Sequence, residues 1–319
     1  MGISRNRGPQ FLYIYIYMNK LGFLFLAVLY ILISILSFDG NISDNAQIIC
    51  CGTLIALVGI PHGAIDHVLY SSVSSKSMVS FYTIYLALMV AYVALWFLFP
   101  VCAMLFFLLI SAYHFGESQL SYIQQSKLFS VLQYSVWGIH LLSTYIFYQL
   151  DTLAGIFSDY AIMKQFVDLF TIIQFQGLSV VISGSLLAIY FAYLLVQRSI
   201  TVQQVLQEIY VLVLIHISFY LFGPLVSFTL YFVILHSMKV MLDEFQFLKE
   251  KFTGLSFYKF IKLLIPFSVV SFLGLFLIIL FNNWILDLPI IYLIILMTSV
   301  ITLPHAIVMH LFYAQAPIE

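Results

Sequence analysis

Gly59-Ile60-Pro61-His62-Gly63-Ala64-Ile65-Asp66-His67 lies inside a long apolar run and places two imidazoles and a carboxylate where a membrane-spanning helix is expected. Polar groups at that depth in lipid are costly, and they are usually kept for chemistry. Pro61 removes a backbone donor, and Gly59 and Gly63 carry no side chain. The helix can therefore kink here, and a neighbouring backbone or ligand can approach His62 closely. We interpret the stretch as one wall of a buried metal site.

The composition of the whole chain places this stretch in a membrane protein. Of the 319 residues, 63% are hydrophobic and 8% are charged, which is typical of a lipid-embedded chain and not of a soluble core. The net charge of −1 and the lack of a basic patch give no electrostatic basis for binding nucleic acid. The three cysteines lack the spacing of a zinc site and the even count of a disulfide framework, so we interpret them as core residues: Cys50, Cys51 and Cys102.

Ten apolar runs have the length of about 17 to 25 residues that crosses a bilayer as a helix. The predicted fold class is therefore all-α, a polytopic membrane helical bundle of about ten transmembrane helices in a single domain, residues 1–319. An irregular outer loop is expected near 150–176 and a basic inner loop near 243–262, with Asp243 and Glu244 at the membrane surface. The predicted helices are 21–38, 47–70, 80–98, 101–122, 128–149, 177–197, 204–222, 225–242, 263–281 and 289–313.

The distribution of positive charge predicts the orientation of the bundle. An even number of helices puts both termini on one side. If that side is the cytoplasm, only Lys164 of the twelve Lys and Arg residues lies outside, as expected for a multi-pass protein of the cell (inner) membrane. The eleven inner residues are Arg5, Arg7, Lys20, Lys76, Lys127, Arg198, Lys239, Lys249, Lys251, Lys259 and Lys262.

This topology gives each histidine a depth. At about 1.5 Å of rise per residue, four histidines on four helices share one level roughly 9 to 12 Å from the cytoplasmic ends. They are the candidate metal ligands: His62, His114, His236 and His305.

The other four histidines rank below these. His67 and His310 lie nearer the cytoplasmic surface, each five residues after a stronger candidate. That spacing turns the side chain by about 140° around an ideal helix, so only a kink or a π-bulge would bring both members of such a pair to one ion. His140 and His216 belong to the outer half, where we interpret them as hydrogen-bonded bridges between helices.

Two carboxylates accompany the candidate ligands. Neutral imidazole is a common ligand for iron, copper and zinc, but it adds no charge to offset the metal. Asp66 follows His62 by four residues and Glu117 follows His114 by three, so each lies on the helix face of its histidine. We predict that both carboxylates hold ring N–H groups of the ligands and balance the charge of a divalent ion.

Four short motifs carry a family resemblance from about residue 47 to residue 313. They are Gly59-Ile-Pro-His-Gly-Ala-Ile-Asp66, Tyr113-His-Phe-Gly-Glu117, Leu235-His-Ser237 and Leu303-Pro-His305. In this order they resemble the Brp/Blh family of membrane β-carotene 15,15′-dioxygenases; the first two motifs are specific, whereas the last two are weak by themselves.

The resemblance implies iron(II)-dependent cleavage of the central double bond of β-carotene with O2, giving two molecules of all-trans-retinal. It further implies Fe(2+) as the cofactor, no other cofactor-binding site, β-carotene drawn from the lipid bilayer, and a functional link to a retinal-binding rhodopsin. His62, His114 and His236 match the catalytic, metal-binding positions of the family. Many members carry one more histidine where this chain has Val240, and on grounds of depth we expect His305 to take its place.

Two other functional classes remain open at this point. A carotenoid or lipid hydroxylase or desaturase also uses a histidine-rich iron site, but typically needs more ligands for two metals and an electron donor. A proton-coupled or metal transporter would use intramembrane His, Asp and Glu as a relay. The common depth of the candidate histidines favours a single site over a path across the membrane.

Overall fold

The described part of the chain folds into helices joined by short turns. The computed structural model describes residues 43–123, 125–157, 161–172, 175–282, 288 and 290–315. Within these ranges there is no strand, and eight helical segments are long and apolar enough to cross a membrane. The prediction of an all-α polytopic bundle is confirmed; the expected helix 21–38 lies outside the described residues.

The described helices follow the predicted spans closely. We number the α-helices in chain order and name the π- and 3₁₀-helical stretches by their residues. The order is α1 (Asp44–Leu54), a π-helical turn (Ile55–Gly59), a 3₁₀ turn (Pro61–Gly63), α2 (Asp66–Val73), α3 (Met78–Leu98), α4 (Pro100–Leu120), α5 (Lys127–Phe157), α6 (Ala161–Ile172), α7 (Phe175–Val196), α8 (Val202–Leu221), α9 (Pro224–Thr229), a π-helical stretch (Leu230–Ser237), α10 (Met238–Lys251), α11 (Phe257–Phe281) and α12 (Ile290–Gln315).

The predicted outer loop near 150–176 is wrong over most of its length. Helix α5 continues to Phe157, and α6 occupies 161–172. Apolar residues recur in α6 at helical spacing, and buried Phe166 packs with Phe157 against the core beside Trp96. Charged residues interrupt the apolar face of α6, so this amphipathic helix contains no continuous apolar run.

The predicted inner loop near 243–262 is also mostly helical. Only residues 252–256 separate α10 from α11, whose first turn is capped by the Ser256 hydroxyl accepting from the Lys259 N–H at 3.3 Å. Glu244 was expected at the membrane surface, yet it is fully buried, and Asp243 is partly buried against Lys239. Apolar and charged positions alternate here at helical spacing, so one face of α10 enters the bundle.

Helices α4 and α5 cross with their backbones in contact. A Cβ atom added to Gly116 would lie 1.8 Å from the carbonyl oxygen of Tyr134, and one added to Gly138 would lie 1.7 Å from that of Ala112. Small residues allow this close approach in membrane bundles. The crossing fixes the part of α4 that carries His114.

Two of the membrane spans are not regular α-helices where they meet. The span 45–73 is interrupted by the π-helical turn and by the 3₁₀ turn that begins at Pro61, and the span 224–251 is π-helical over Leu230–Ser237. The two π-helical stretches pack against each other. Such distortions are frequent at functional sites, and here they carry His62 and His236.

Candidate metal centre

Four imidazoles from four spans meet inside the bundle. His62 lies in the 3₁₀ turn, His114 in α4, His236 in the π-helical stretch and His305 in α12, directly after Pro304. In the same order, the four histidines are 8%, 2%, 2% and 4% exposed. The four histidines that the sequence analysis placed at one depth are thus neighbours in the fold.

The rings form a closed circuit. Successive ring centroids are 5.4 Å apart for His62 and His236, 5.0 Å for His236 and His114, 5.0 Å for His114 and His305, and 4.9 Å for His305 and His62. Each pair meets edge to face. One ligand nitrogen from each of His62, His114 and His236 lies within 4.8 Å of the other two. This spacing is compact enough for one ion to contact several rings.

Several ring nitrogens at this centre have no hydrogen-bond partner among the described residues. Both nitrogens of His114 are unpaired, as are Nε2 of His236 and Nε2 of His305. An unpaired polar atom buried away from water costs about 1 to 3 kcal/mol, so native structures rarely keep several together. A divalent metal ion accepts electron pairs from neutral imidazoles, and the donor set therefore fits a metal.

Hydrogen bonds to Nδ1 leave Nε2 as the lone-pair nitrogen in three of the rings. His62 Nδ1 donates to the Gly59 carbonyl, and His305 Nδ1 donates to Asp66 Oδ1 at 2.8 Å. The Ser118 hydroxyl donates to the Phe115 carbonyl and so accepts from His236 Nδ1, at 3.1 Å. Metal-binding histidines are commonly oriented by such contacts on the nitrogen that does not ligate.

Asp66 supports a different histidine from the one beside it in sequence. Its Oδ1 accepts from His305 on α12, and its Oδ2 accepts from the Tyr85 hydroxyl at 3.0 Å. The 3₁₀ turn breaks the regular spacing that would have put Asp66 on the face of His62. Gly63 leaves room for this pairing, because its missing Cβ would lie 3.3 Å from His305 Nδ1.

Glu117 contacts a residue outside the circuit of four rings. Its Oε1 accepts from His310 Nδ1 at 2.7 Å and from the Tyr113 hydroxyl at 3.0 Å. The His310 side chain is 46% exposed, so this pair links a buried carboxylate to the surface of the bundle. Glu117 was expected to support His114, whereas its hydrogen bonds lead to His310 and Tyr113.

The remaining histidines do not join the circuit. His67 packs on the ring of Phe267, with centroids 4.3 Å apart. His140 and His216 face each other with their Nε2 atoms 3.3 Å apart. Their Nδ1 atoms contact Ser183 and Tyr148, so this pair bridges α5, α7 and α8.

Two residues that hydrogen-bond to this site, Ser118 and Tyr85, were not predicted from the sequence. Ser118 lies four residues after His114, and this spacing was a weak sequence signal. Tyr85 gave no sequence signal, since it meets Asp66 only through the packing of α3.

Val240, at the position where the resemblance implies a histidine, is fully buried among core residues such as Ile65. An apolar side chain packs at this position.

Comparison with known proteins gives the family. A family model described as beta-carotene 15,15'-dioxygenase matches residues 53–313. A protein of an uncultured marine bacterium, 66A03, named beta-carotene 15,15'-dioxygenase, is 35% identical over 77 residues, covering 23% of this chain and 28% of that protein. No solved structure matches. Because the family match extends over most of the chain and includes all four clustered histidines, the chain belongs to the beta-carotene 15,15'-dioxygenase family.

Proposed function

We propose that this protein binds iron(II) and cleaves the central double bond of β-carotene with O2, giving two molecules of all-trans-retinal. The observation that carries the proposal is the buried circuit of four imidazoles, three of which have a nitrogen without a hydrogen-bond partner among the described residues, in a chain of the beta-carotene 15,15'-dioxygenase family. The metal would be held by His62, His114, His236 and His305.

The four imidazoles could bind several transition metals, and the dioxygenase family favours one of them. Imidazole suits iron, copper and zinc alike, and a dioxygenase favours iron. When bound, iron(II) would supply the means to activate O2. Four neutral ligands add no negative charge, so Asp66, in contact with His305, is placed to offset part of the ionic charge.

The residues of this chain hold the centre rigid and dry. Asp66 and Tyr85 orient His305, Ser118 orients His236, and the Gly59 carbonyl orients His62. Around His236, apolar rings exclude water: the centroid of Phe115 lies 4.8 Å and that of Phe232 5.7 Å from its ring. An apolar environment suits a hydrocarbon substrate, for which shape and not hydrogen bonding gives selectivity.

The proposed reaction balances without a further reductant. One C=C bond of the polyene breaks, and each of its carbons gains one oxygen atom of O2 as an aldehyde C=O. The alkene supplies the electrons, and both oxygen atoms leave in the two product molecules.

Expression in a β-carotene-accumulating bacterium tests this proposal. We expect the orange colour to fade and retinal to appear by chromatography, whereas the variant His114→Ala, at equal protein level, keeps the colour. Unchanged carotenoid at a normal level of the unmodified protein would contradict cleavage. Oxygenated or desaturated products with intact C40 chains would indicate a hydroxylase or desaturase instead.

A further inference from the structure

A row of aromatic rings leads away from the metal centre along the span that carries His236. Phe228, Phe232 and His236 are four residues apart, a spacing that puts side chains on one side of a helix. The planes of Phe228 and Phe232 differ by 11° with centroids 5.5 Å apart, and those of Phe232 and His236 differ by 22° at 5.7 Å. These rings are parallel, unlike the edge-to-face contacts within the histidine circuit.

The row passes from buried to partly exposed protein. His236 is buried, but Phe232 and Phe228 are only partly buried. Leu54 and Val58, partly buried aliphatic residues of span 45–73, pack with Phe232 against the same core cluster. Since these helices span the membrane, exposed apolar surface at this seam faces lipid. Phe232 therefore lies at the contact between spans 45–73 and 224–251, and Phe228, whose ring centroid lies 5.7 Å from that of Tyr145 on α5, continues the row along the partly exposed side of span 224–251.

Gly59 sets the position of the middle ring. A Cβ atom at Gly59 would lie 2.8 Å from Phe232 Cε1 and 3.3 Å from Ile55 Cγ2. Only glycine leaves Phe232 where it is, edge-on to His62 with centroids 5.5 Å apart. The carbonyl of the same glycine accepts from His62 Nδ1, so one residue controls the place of both the ring and the imidazole.

We propose that Phe228 and Phe232, positioned by Gly59, form a track that receives one arm of a linear conjugated hydrocarbon from the bilayer and selects the double bond that reaches the histidines. The inference rests on the proposed function and names its specificity-determining residues. A flat polyene arm has no hydrogen-bonding groups, and aromatic rings offer it large apolar, polarisable contact area. A track of fixed length ending at the histidine centre would measure the distance from the end of the substrate to the cleaved bond.

Binding to the full-length, iron-loaded protein under anaerobic conditions tests the track separately from the chemistry. Without O2 no cleavage occurs, and binding of β-carotene is followed by its absorption spectrum in detergent micelles. Phe228→Ala and Phe232→Ala should weaken binding about 10-fold, since each removes an apolar contact of about 1.4 kcal/mol or more. Phe276→Ala, at a lipid-exposed position of α11, is the control and should bind as the unmodified protein does.

Iron content and products complete the test. The two Phe→Ala variants should keep full iron. If they fold poorly, Phe228→Leu and Phe232→Leu, which preserve most of the apolar volume, should also bind β-carotene more weakly than the unmodified protein. With O2, Gly59→Ala should shift cleavage toward aldehydes of unequal length. Unchanged affinity in both Phe positions overturns the track even if retinal is formed. Binding that depends on Phe228 and Phe232, without any cleavage when O2 is added, would support the track and contradict the proposed function.

Discussion

At the scale of residues, the centre depends on which nitrogen of each ring carries the proton. Gly59, Ser118 and Asp66 each accept from an Nδ1, and this leaves Nε2 as the electron-pair donor in three rings. His114 has no such partner among the described residues, and both of its nitrogens are buried. His114 is therefore the one ring of the circuit that no hydrogen bond from a described residue orients.

His305→Ala should lose bound iron to the same extent as His62→Ala, because each change removes one imidazole from the circuit. We expect iron affinity to fall by more than about 100-fold in both, beyond the effect of losing a supporting group. Elemental analysis after anaerobic iron loading measures this, with His140→Ala as the control that retains iron. Full iron in His305→Ala would show that three histidines suffice, or that His67 or His310 contributes.

Asp66→Asn should weaken iron binding by about 10- to 100-fold without preventing folding. Tyr85→Phe removes one hydrogen bond to the same carboxylate, worth about 1 kcal/mol, and should cost about 5-fold. Glu117→Gln is the matched control, since Glu117 bonds to His310 and not to the circuit, and its effect should be smaller. Complete loss of iron in Asp66→Asn, equal to that in His62→Ala, would instead make Asp66 a direct ligand.

At the scale of elements, the crossing of α4 and α5 sets the position of His114. Gly138→Ala would place a methyl group 1.7 Å from a backbone oxygen, a clash that no side-chain rotation relieves. We expect destabilisation of about 3 kcal/mol or more, measured as a lower denaturation midpoint in detergent. Gly274→Ala, where a Cβ meets nothing within 4 Å, should be neutral. Equal midpoints for the two variants would contradict the close crossing.

The common depth of the four histidines could be predicted from residue numbers along straight helices, but the hydrogen bonds around their rings could not. His62, His114, His236 and His305 share a depth in any regular bundle. The Asp66–His305 bond, in contrast, depends on the broken backbone at Pro61–Gly63, whose local geometry the sequence pattern does not determine. Helix α6 was missed because polar residues interrupt its apolar face.

At the scale of the whole molecule, orientation remains a prediction from the charge distribution. Phe99 and Phe252 are exposed residues at turns that we expect on opposite sides of the membrane. In a chain without its natural cysteines, Phe99→Cys should react with a membrane-impermeant maleimide in intact cells, and Phe252→Cys only in inverted vesicles. The reverse pattern would place the termini outside.

If iron binds as proposed, the stability of the fold depends on it, because His114, His236 and His305 have buried ring nitrogens without a partner among the described residues. Clustering lone pairs without a cation raises the free energy of the folded state, and a ligand that binds only the folded state lowers it by about 2.7 kcal/mol at 100 times its dissociation constant. We therefore expect a chelator to lower the melting temperature of the purified protein and added iron(II) to restore it. In a starved cell, the same linkage would make proteolytic turnover of this protein a readout of intracellular iron.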